Sequence, residues 1–282
     1  MLFRRLSIER FVVQYVREVR EKDPMIGMDK LWIMYQNRFS EEYCVGRDTF
    51  RCILHEYGLN IVRKTRAPRT TDSRHNLPTY PNLVKNLIPT RPNHVWVSDI
   101  TYLPIVDSTT KPGYRFCFLT LIMDAYSKRI LGRCVAPTLE AKYSIRALQQ
   151  ALKTLPNGFC DTLIHHSDRG AQYASSNYIK VLNQSNVIPS MTESGNPKDN
   201  AMAERINNTI KNELLRKKTF MNLNEVVEAV DKAIAFYNAE RPHSSLDWHT
   251  PEQVHQMKGE MKKHWYSWRE NAIRREQTMA IG

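Results

Sequence analysis

Three acids carry the chemistry this sequence can support: Asp99, Asp168 and Glu204. Asp99 stands inside Trp96-Val97-Ser98-Asp99-Ile100-Thr101-Tyr102, whose alternation reads as a strand. Asp168 closes the run Leu163-Ile164-His165-His166-Ser167 and opens the turn at Arg169-Gly170. Glu204 follows Asn200-Ala201-Met202-Ala203, one turn into a helix, with 35 residues between it and Asp168. Carboxylates brought together repel one another unless a cation neutralises them. Hard oxygen donors without clustered His or Cys favour Mg²⁺, with Mn²⁺ as a substitute. Two such ions, about 3.5–4 Å apart, can activate water or a 3′-hydroxyl and stabilise the leaving oxygen of an in-line displacement. The expectation is therefore that Asp99, Asp168 and Glu204 meet, bind two ions and act as the catalytic residues for cutting and joining DNA.

Other acids fit turns better. Asp107 adjoins Ser108-Thr109-Thr110, Asp124 precedes a turn, and Asp199 or Asn200 suits the N-cap of the helix that carries Glu204. In that helix Ala203, Ile206, Ile210 and Leu214 form an apolar stripe. Glu204 falls at its edge, with Asn208 and Lys211 on the same side. A lysine there suits a phosphate.

The elements that must position these groups follow in order. Residues 7–22, Asp29 to Arg38 and Thr49 to Tyr57 read as three short helices, with Asp48 a candidate N-cap and Gly58 a stop. Arg47, Arg51 and His55 would face outward on the third, as in a helix-turn-helix DNA reader. The alternative is a helical appendage that only packs on the main domain. Residues 63–93 contain Pro68, Pro78, Pro81, Pro89 and Pro92 and open with Arg63, Lys64, Arg66 and Arg69, a basic linker that could follow a phosphate backbone or serve as a solvated spacer.

Three strands come next, near 95–102, 115–123 and 129–136. A helix at Thr138 to Leu155, a strand at Asp161 to Asp168, a helix at Ser175 to Gln184, a strand at Val187 to Thr192, and helices at Asn200 to Lys217 and Asn224 to Asn238 follow. This order predicts an α/β protein with a ribonuclease-H-like mixed sheet flanked by helices, behind a small N-terminal helical domain. In that layout the first and fourth strands are neighbours, which sets Asp99 beside Asp168. The predicted organisation is 1–62 helical and DNA-binding, 63–93 linker, 94–255 catalytic, and 256–282 a basic aromatic tail. In that tail Lys262, Lys263, Trp265, Trp268, Arg269, Arg274 and Arg275 suit DNA contact, a docked helix or a dimer arm alike.

The net charge of +12 and pI near 9.5 point to a polyanionic partner. No stretch approaches the ~20 apolar residues of a membrane span, and Met1-Leu2-Phe3-Arg4-Arg5 leads into a charged segment, so neither membrane nor export is expected. Five cysteines, odd in number and without a Cys-x-x-Cys, read as reduced and mostly core thiols of a cytoplasmic protein.

Several boxes occur in order: Trp96 to Tyr102, His166-Ser167-Asp168-Arg169-Gly170-Ala171-Gln172-Tyr173, Gly195 to Glu204, and Tyr237-Asn238, Arg241-Pro242-His243, Leu246 and Thr250-Pro251. Over roughly residues 90–255 they resemble bacterial insertion-sequence transposases with a retroviral-integrase-like core, in the group whose catalytic subunit is encoded in a second, frameshifted reading frame. The resemblance implies a Mg²⁺-dependent Asp-Asp-Glu enzyme that nicks element ends and transfers 3′-hydroxyls, with the triad on Asp99, Asp168 and Glu204. It also implies a circular DNA intermediate, a homodimer or larger assembly on paired double-stranded ends, and an upstream-frame partner segment. It adds Gln172, Asn200 and His243 as DNA-binding neighbours of the site and implies a nucleoid-associated location. The N-terminal helices match only around Arg47 to Asn60. Two alternatives remain open: a catalytically silent DNA-binding regulator on the same fold, and a nuclease that cuts without joining.

Overall fold

A computed structural model describes residues 2–40, 43–61, 77–111, 113–193, 200–257 and 268–279. Three helices open the chain: α1 (Leu2–Lys22), α2 (Met28–Arg38) and α3 (Arg47–Glu56). Of the residues that the helical spacing turns inward, Val12, Tyr15, Val16, Val19, Leu31, Tyr35, Phe50, Ile53 and Leu54 are buried, Ile8 and Met34 are half-buried, and Tyr57, just past the end of the third helix, is exposed. Gly58 stops the third with a positive φ of 62°. Asp48 is not the N-cap. The helix starts two residues earlier than expected, at Arg47 behind Gly46, so Asp48 lies in the first turn and complements the helix dipole instead.

The strands are β1 (Val95–Val106), β2 (Tyr114–Asp124), β3 (Ile130–Ala136), β4 (Leu163–Ser167) and β5 (Val187–Met191). They form one sheet in the order β3-β2-β1-β4-β5. The β1–β2 and β2–β3 pairs are antiparallel; β1–β4 and β4–β5 are parallel. The first and fourth strands are indeed neighbours. Val97 pairs with His166, and carrying that register two residues on places Asp168 level with Asp99.

Each sheet face has its own apolar layer. One face carries Trp96 and Ile122 against α4 (Ala141–Leu152), α5 (Ala171–Ala174) and α6 (Ser176–Gln184). At Gly132 on β3 the α4 backbone comes so close that an added Cβ would stand 2.1 Å from the Ala147 carbonyl oxygen, so only glycine fits there. The other face carries Val95, Val97, Leu103, Ile105, Leu119 and Leu121 against α7 (Ala201–Asn208) and α8 (Leu223–Ala239). The cluster on this second face runs on without a break into α1, α2 and α3.

Arg241, just after α8, ties this region together. It is 2% exposed, its Nε donates to Asp23 Oδ2 at 2.8 Å beyond α1, and its Nη2 donates to Glu213. The described half of the Pro-rich linker also lies against the sheet. Leu83 N donates to Ser190 Oγ at 3.0 Å, and Val84 is buried. Arg63, Lys64, Arg66 and Arg69 fall outside the described residues.

Two helices differ from the sequence expectation. The first, α4, begins at Ala141 rather than Thr138, because Thr138 Oγ1 bonds the Glu140 carboxylate and the chain reaches Glu140 in extended form. The helix bearing Glu204 ends as an α-helix at Asn208 and continues as a π-helical turn, Thr209–Leu214. Such π turns recur at functional sites. The helix α9 (Pro251–Gln256), with a full capping box at Thr250 and Gln253, and α10 (Trp268–Met279) complete the chain; neither was among the helices expected from periodicity. Only Cys117 of the five free cysteines is buried, and Cys52 and Cys160 are exposed, so the thiols are not mostly core. Among the described residues no helix is long and apolar enough to cross a membrane.

Candidate active site

Asp99 lies within β1, at the level where β4 has ended, and α7 packs across the strand there. Asn207 Nδ2 donates to its Oδ2 at 2.8 Å. Burial, then the Asp168 carboxylate, push the Asp99 carboxyl up to about 7, and Glu204 adds to the effect. Asp168 sits in the turn after β4, where Gly170 N–H donates to its Oδ1 at 2.9 Å. A Cβ on Gly170 would stand 2.9 Å from that Oδ1 and 3.0 Å from Gln172 Oε1, so the glycine lets both side chains close in. Asp99 and Asp168 form the tighter pair, and Glu204 is the outer, exposed member on α7. As they stand, no three His, Cys, Asp or Glu side chains among the described residues gather closely enough to hold a metal ion.

The stripe expected beside Glu204 is real: Ala203, Ile206, Ile210 and Leu214 are all buried. Asn207 is buried with them and was missed from the sequence. Its signal was present, as a polar residue four positions after Ala203 on an apolar stripe. Asn200 occupies the N-cap position of α7 but makes no cap hydrogen bond. Its Nδ2 donates instead to the Ser98 carbonyl at 3.0 Å. Two asparagines, one at the cap and one within α7, thus hold β1 at Ser98 and at Asp99 itself. Asp199 lies outside the described residues.

Lys211, in the π turn, stands 3.6 Å from the centroid of the Tyr102 ring, three residues along β1 from Asp99, and burial lowers its pKa. Arg47, Arg51 and His55 are exposed together on α3. His243 does not join the acids; it lines a cavity with Ala201, Met202, Arg205 and Thr209, on the side of α7 away from Asn207. The rival acids serve turns as expected. Asp124 accepts from the N–H groups of Asn93 and Ser127, and Asp107 accepts from Thr109. His165 and His166 are structural, paired with Tyr178 and Ser190.

The raised Asp99 pKa makes a prediction. Folded Asp99 keeps its proton up to about pH 7, whereas the unfolded chain releases it near 3.8. The folded state therefore holds the extra proton between those values, and stability falls as pH rises through that window, then levels off. At roughly 1.4 kcal/mol per pH unit the loss is at most about 4 kcal/mol. Melting curves of the metal-free chain at pH 5 and pH 8 should differ more for the wild type than for Asp99→Asn. Equal differences would contradict the crowding of acids at this edge.

A mixed sheet in this order, with an acid on the central β1, a second just after β4 and a third on a helix packed across β1, is a ribonuclease-H-like core of the integrase type. The family model described as Integrase core domain matches residues 89–197, and a second model of the same description matches 185–251. The chain is 37% identical to the insertion element IS600 31 kDa protein of Shigella sonnei, over 76% of this chain and 77% of that one. It is 31% identical to the transposase for insertion sequence element IS629 of the same organism, over 82% of this chain and 73% of that one. Among solved structures, a chain of the simian T-cell lymphotropic virus intasome, in complex with PP2A regulatory subunit B56 gamma, superposes with a TM-score of 0.51 at 18% identity. The superposition covers 79% of this chain and 73% of that one, a likeness of fold. The chain belongs to the insertion-sequence transposases built on an integrase core domain.

Proposed function

We propose that Asp99, Asp168 and Glu204 are the catalytic carboxylates of this transposase and that together they hold two Mg²⁺ ions, or Mn²⁺ in their place. The observation that carries this reading is the β1–β4 register, which sets Asp168 level with Asp99 beneath the helix that bears Glu204 and bonds Asp99 through Asn207; the raised Asp99 pKa agrees with it. An all-carboxylate set whose members repel suits a hard divalent cation. Bound there, the ions supply Lewis acidity and an activated oxygen nucleophile. The chain's own residues position the set. Asn207 orients Asp99, Asn200 fastens α7 to β1, and Gly170 with Gln172 frames Asp168.

In the first reaction a water oxygen attacks phosphorus at the element end, the P–O3′ bond breaks, and a 3′-hydroxyl is freed. In the second that hydroxyl attacks a target phosphodiester and displaces the target's 3′-oxygen. One phosphodiester is made as one is broken, so joining needs no external energy source. Lys211 lies where it can meet a phosphate beside Asp99, and Arg47 and Arg51 on α3 face outward toward the duplex. Arg63, Lys64, Arg66 and Arg69, outside the described residues, are further candidates for phosphate contact by residue type. The chain works in the cytoplasm on double-stranded element ends and target, as a dimer or larger assembly, joined by an upstream-frame segment.

The test mixes the purified chain, with and without that segment, with a labelled duplex carrying its element end. Mg²⁺ should yield nicked and then joined products, and EDTA neither. Joined products in EDTA would overturn the metal assignment, and nicking without joining would make the protein a nuclease.

A further inference from the structure

On the side of α7 away from Asn207 lies a cavity of about 450 Å³. Lys30, Lys128, Arg205, Arg241 and His243 line it, and Glu270 of α10 is the one acid among its described lining residues. The cations differ in how far they are already satisfied. Arg241 is paired with Asp23 and Glu213, and the Lys128 ammonium is turned to the Ala125 carbonyl and to Met202 Sδ at 3.3 Å. The side chains of Lys30 and Arg205 make no hydrogen bond or ion pair among the described residues.

His243 is fixed in place. Its ring packs edge-on against Tyr237, with centroids 4.8 Å apart, and its carbonyl accepts from Leu246 N and Trp248 N. Its Nε2 is nonetheless buried without a hydrogen-bond partner among the described residues. Burial and the surrounding cations, Lys30 first, hold the ring well below its usual pKa, so it stays neutral. A buried polar nitrogen left unmatched costs about 1–3 kcal/mol. Beside it stand Lys30 and Arg205, which no carboxylate among the described residues bonds directly. Burial, then Arg241, lowers Lys30 to about 8, Glu213 and Asp23 offset this in part, and the cations around the cavity together raise the local potential. Both costs are relieved by one kind of guest, an anion with oxygen acceptors.

We propose that this cavity is a phosphate-binding site, with Lys30 and Arg205 supplying charge and His243 Nε2 a hydrogen bond. Lysine meets phosphate as a point charge and arginine as a planar fork, so the pair can hold two oxygens at once. The size admits a nucleotide's phosphate with part of its sugar. The phosphate has two sources, a DNA backbone or a small phosphorylated molecule, and the first rests on the transposase reading above. In that case the DNA has a second anchor, one helix diameter, about 10 Å, from the catalytic acids. Glu270 is the group of wrong sign at the cavity, so phosphate and Glu270 oppose each other.

The test is binding in EDTA, which keeps it independent of catalysis. One arm measures melting of the chain in inorganic phosphate against chloride at equal ionic strength. The other measures affinity for a labelled duplex as salt is raised. Lys30→Met and His243→Gln should each abolish the extra stabilisation by phosphate, and Glu270→Gln should enlarge it. If DNA supplies the phosphate, Lys30→Met also lowers the slope of log affinity against log salt by about one. A phosphate effect lost in Lys30→Met with an unchanged DNA slope assigns the site to a small phosphorylated ligand. A wild type that phosphate stabilises no more than chloride, with a DNA slope unaltered in all three variants, overturns the proposal. Melting in chloride alone shows whether each variant is folded, and Glu270→Gln, which removes only a charge, keeps the comparison decisive if Lys30→Met is unstable.

Discussion

Glu204→Gln is expected to lower DNA cleavage and joining at least ~10³-fold while duplex binding in EDTA stays near the wild-type value. The amide keeps the shape of the side chain and removes the charge that a divalent ion requires. Metal Lewis acidity is worth several kcal/mol of transition-state stabilisation, and each ~1.4 kcal/mol is a factor of ten in rate. Asp99→Asn and Asp168→Asn should act alike. Asn207→Ala should be milder, ~10–100-fold, because it would act on a bound ion only through the Asp99 carboxylate it orients at 2.8 Å. Raising Mg²⁺ should partly rescue Asn207→Ala and should not rescue Glu204→Gln. Single-turnover rates across a metal titration separate the two. A Glu204→Gln protein with more than a tenth of wild-type joining would remove Glu204 from the catalytic set.

Arg241→Met should cost about 3–5 kcal/mol of stability and lower the melting temperature by roughly 10 °C. Arg241 is 2% exposed and Asp23 is 0% exposed, with 2.8 Å between Nε and Oδ2. Glu213 of the π turn bonds the other end of the guanidinium. Methionine fills much of the same volume but takes from the Asp23 carboxylate its direct ion pair, leaving the Met25 amide at 3.2 Å as its hydrogen-bond donor among the described residues and Lys30 and Arg20 as more distant charges. A charge buried without its partner is penalised far more than a surface one. Restoring neutrality by adding Asp23→Asn should recover part of the loss, which a simple volume defect would not allow. A melting temperature within 2 °C of the wild type would show that the ion pair contributes nothing net.

The same arginine marks where sequence reading stops. As part of Arg241-Pro242-His243 it was legible as a motif, but its partners lie 218 and 28 positions away, and nothing in a linear pattern pairs them. Short-range physics explains what could be read. The helical stripe through Ala203, Ile206, Ile210 and Leu214 is a local statement about burial and holds throughout; the apolar run of β2 is buried from Leu119 on, while Phe116 at its start is exposed beyond the edge of the core. The order of strands and helices was enough to make β1 and β4 neighbours, and hence to set Asp99 beside Asp168. Capping was less legible. Gly46 displaced Asp48, and Asn200 left its cap to bond β1, because a side chain that can cap can equally serve a partner from elsewhere in the chain.

By itself, then, the sequence determined the alternation of elements, most of the faces they bury and the neighbourhood of Asp99 and Asp168, since periodicity and strand order follow from residue types at fixed spacing. Only the tertiary structure decided that Asn207 rather than Asn208 reaches Asp99 and that His243 belongs to a separate cationic cavity. It likewise decided that the N-terminal helices share a core with the sheet and are pinned to α8 through Arg241. Those outcomes depend on which distant groups are brought within about 3 Å of one another, and hydrogen bonds and ion pairs act only at that range.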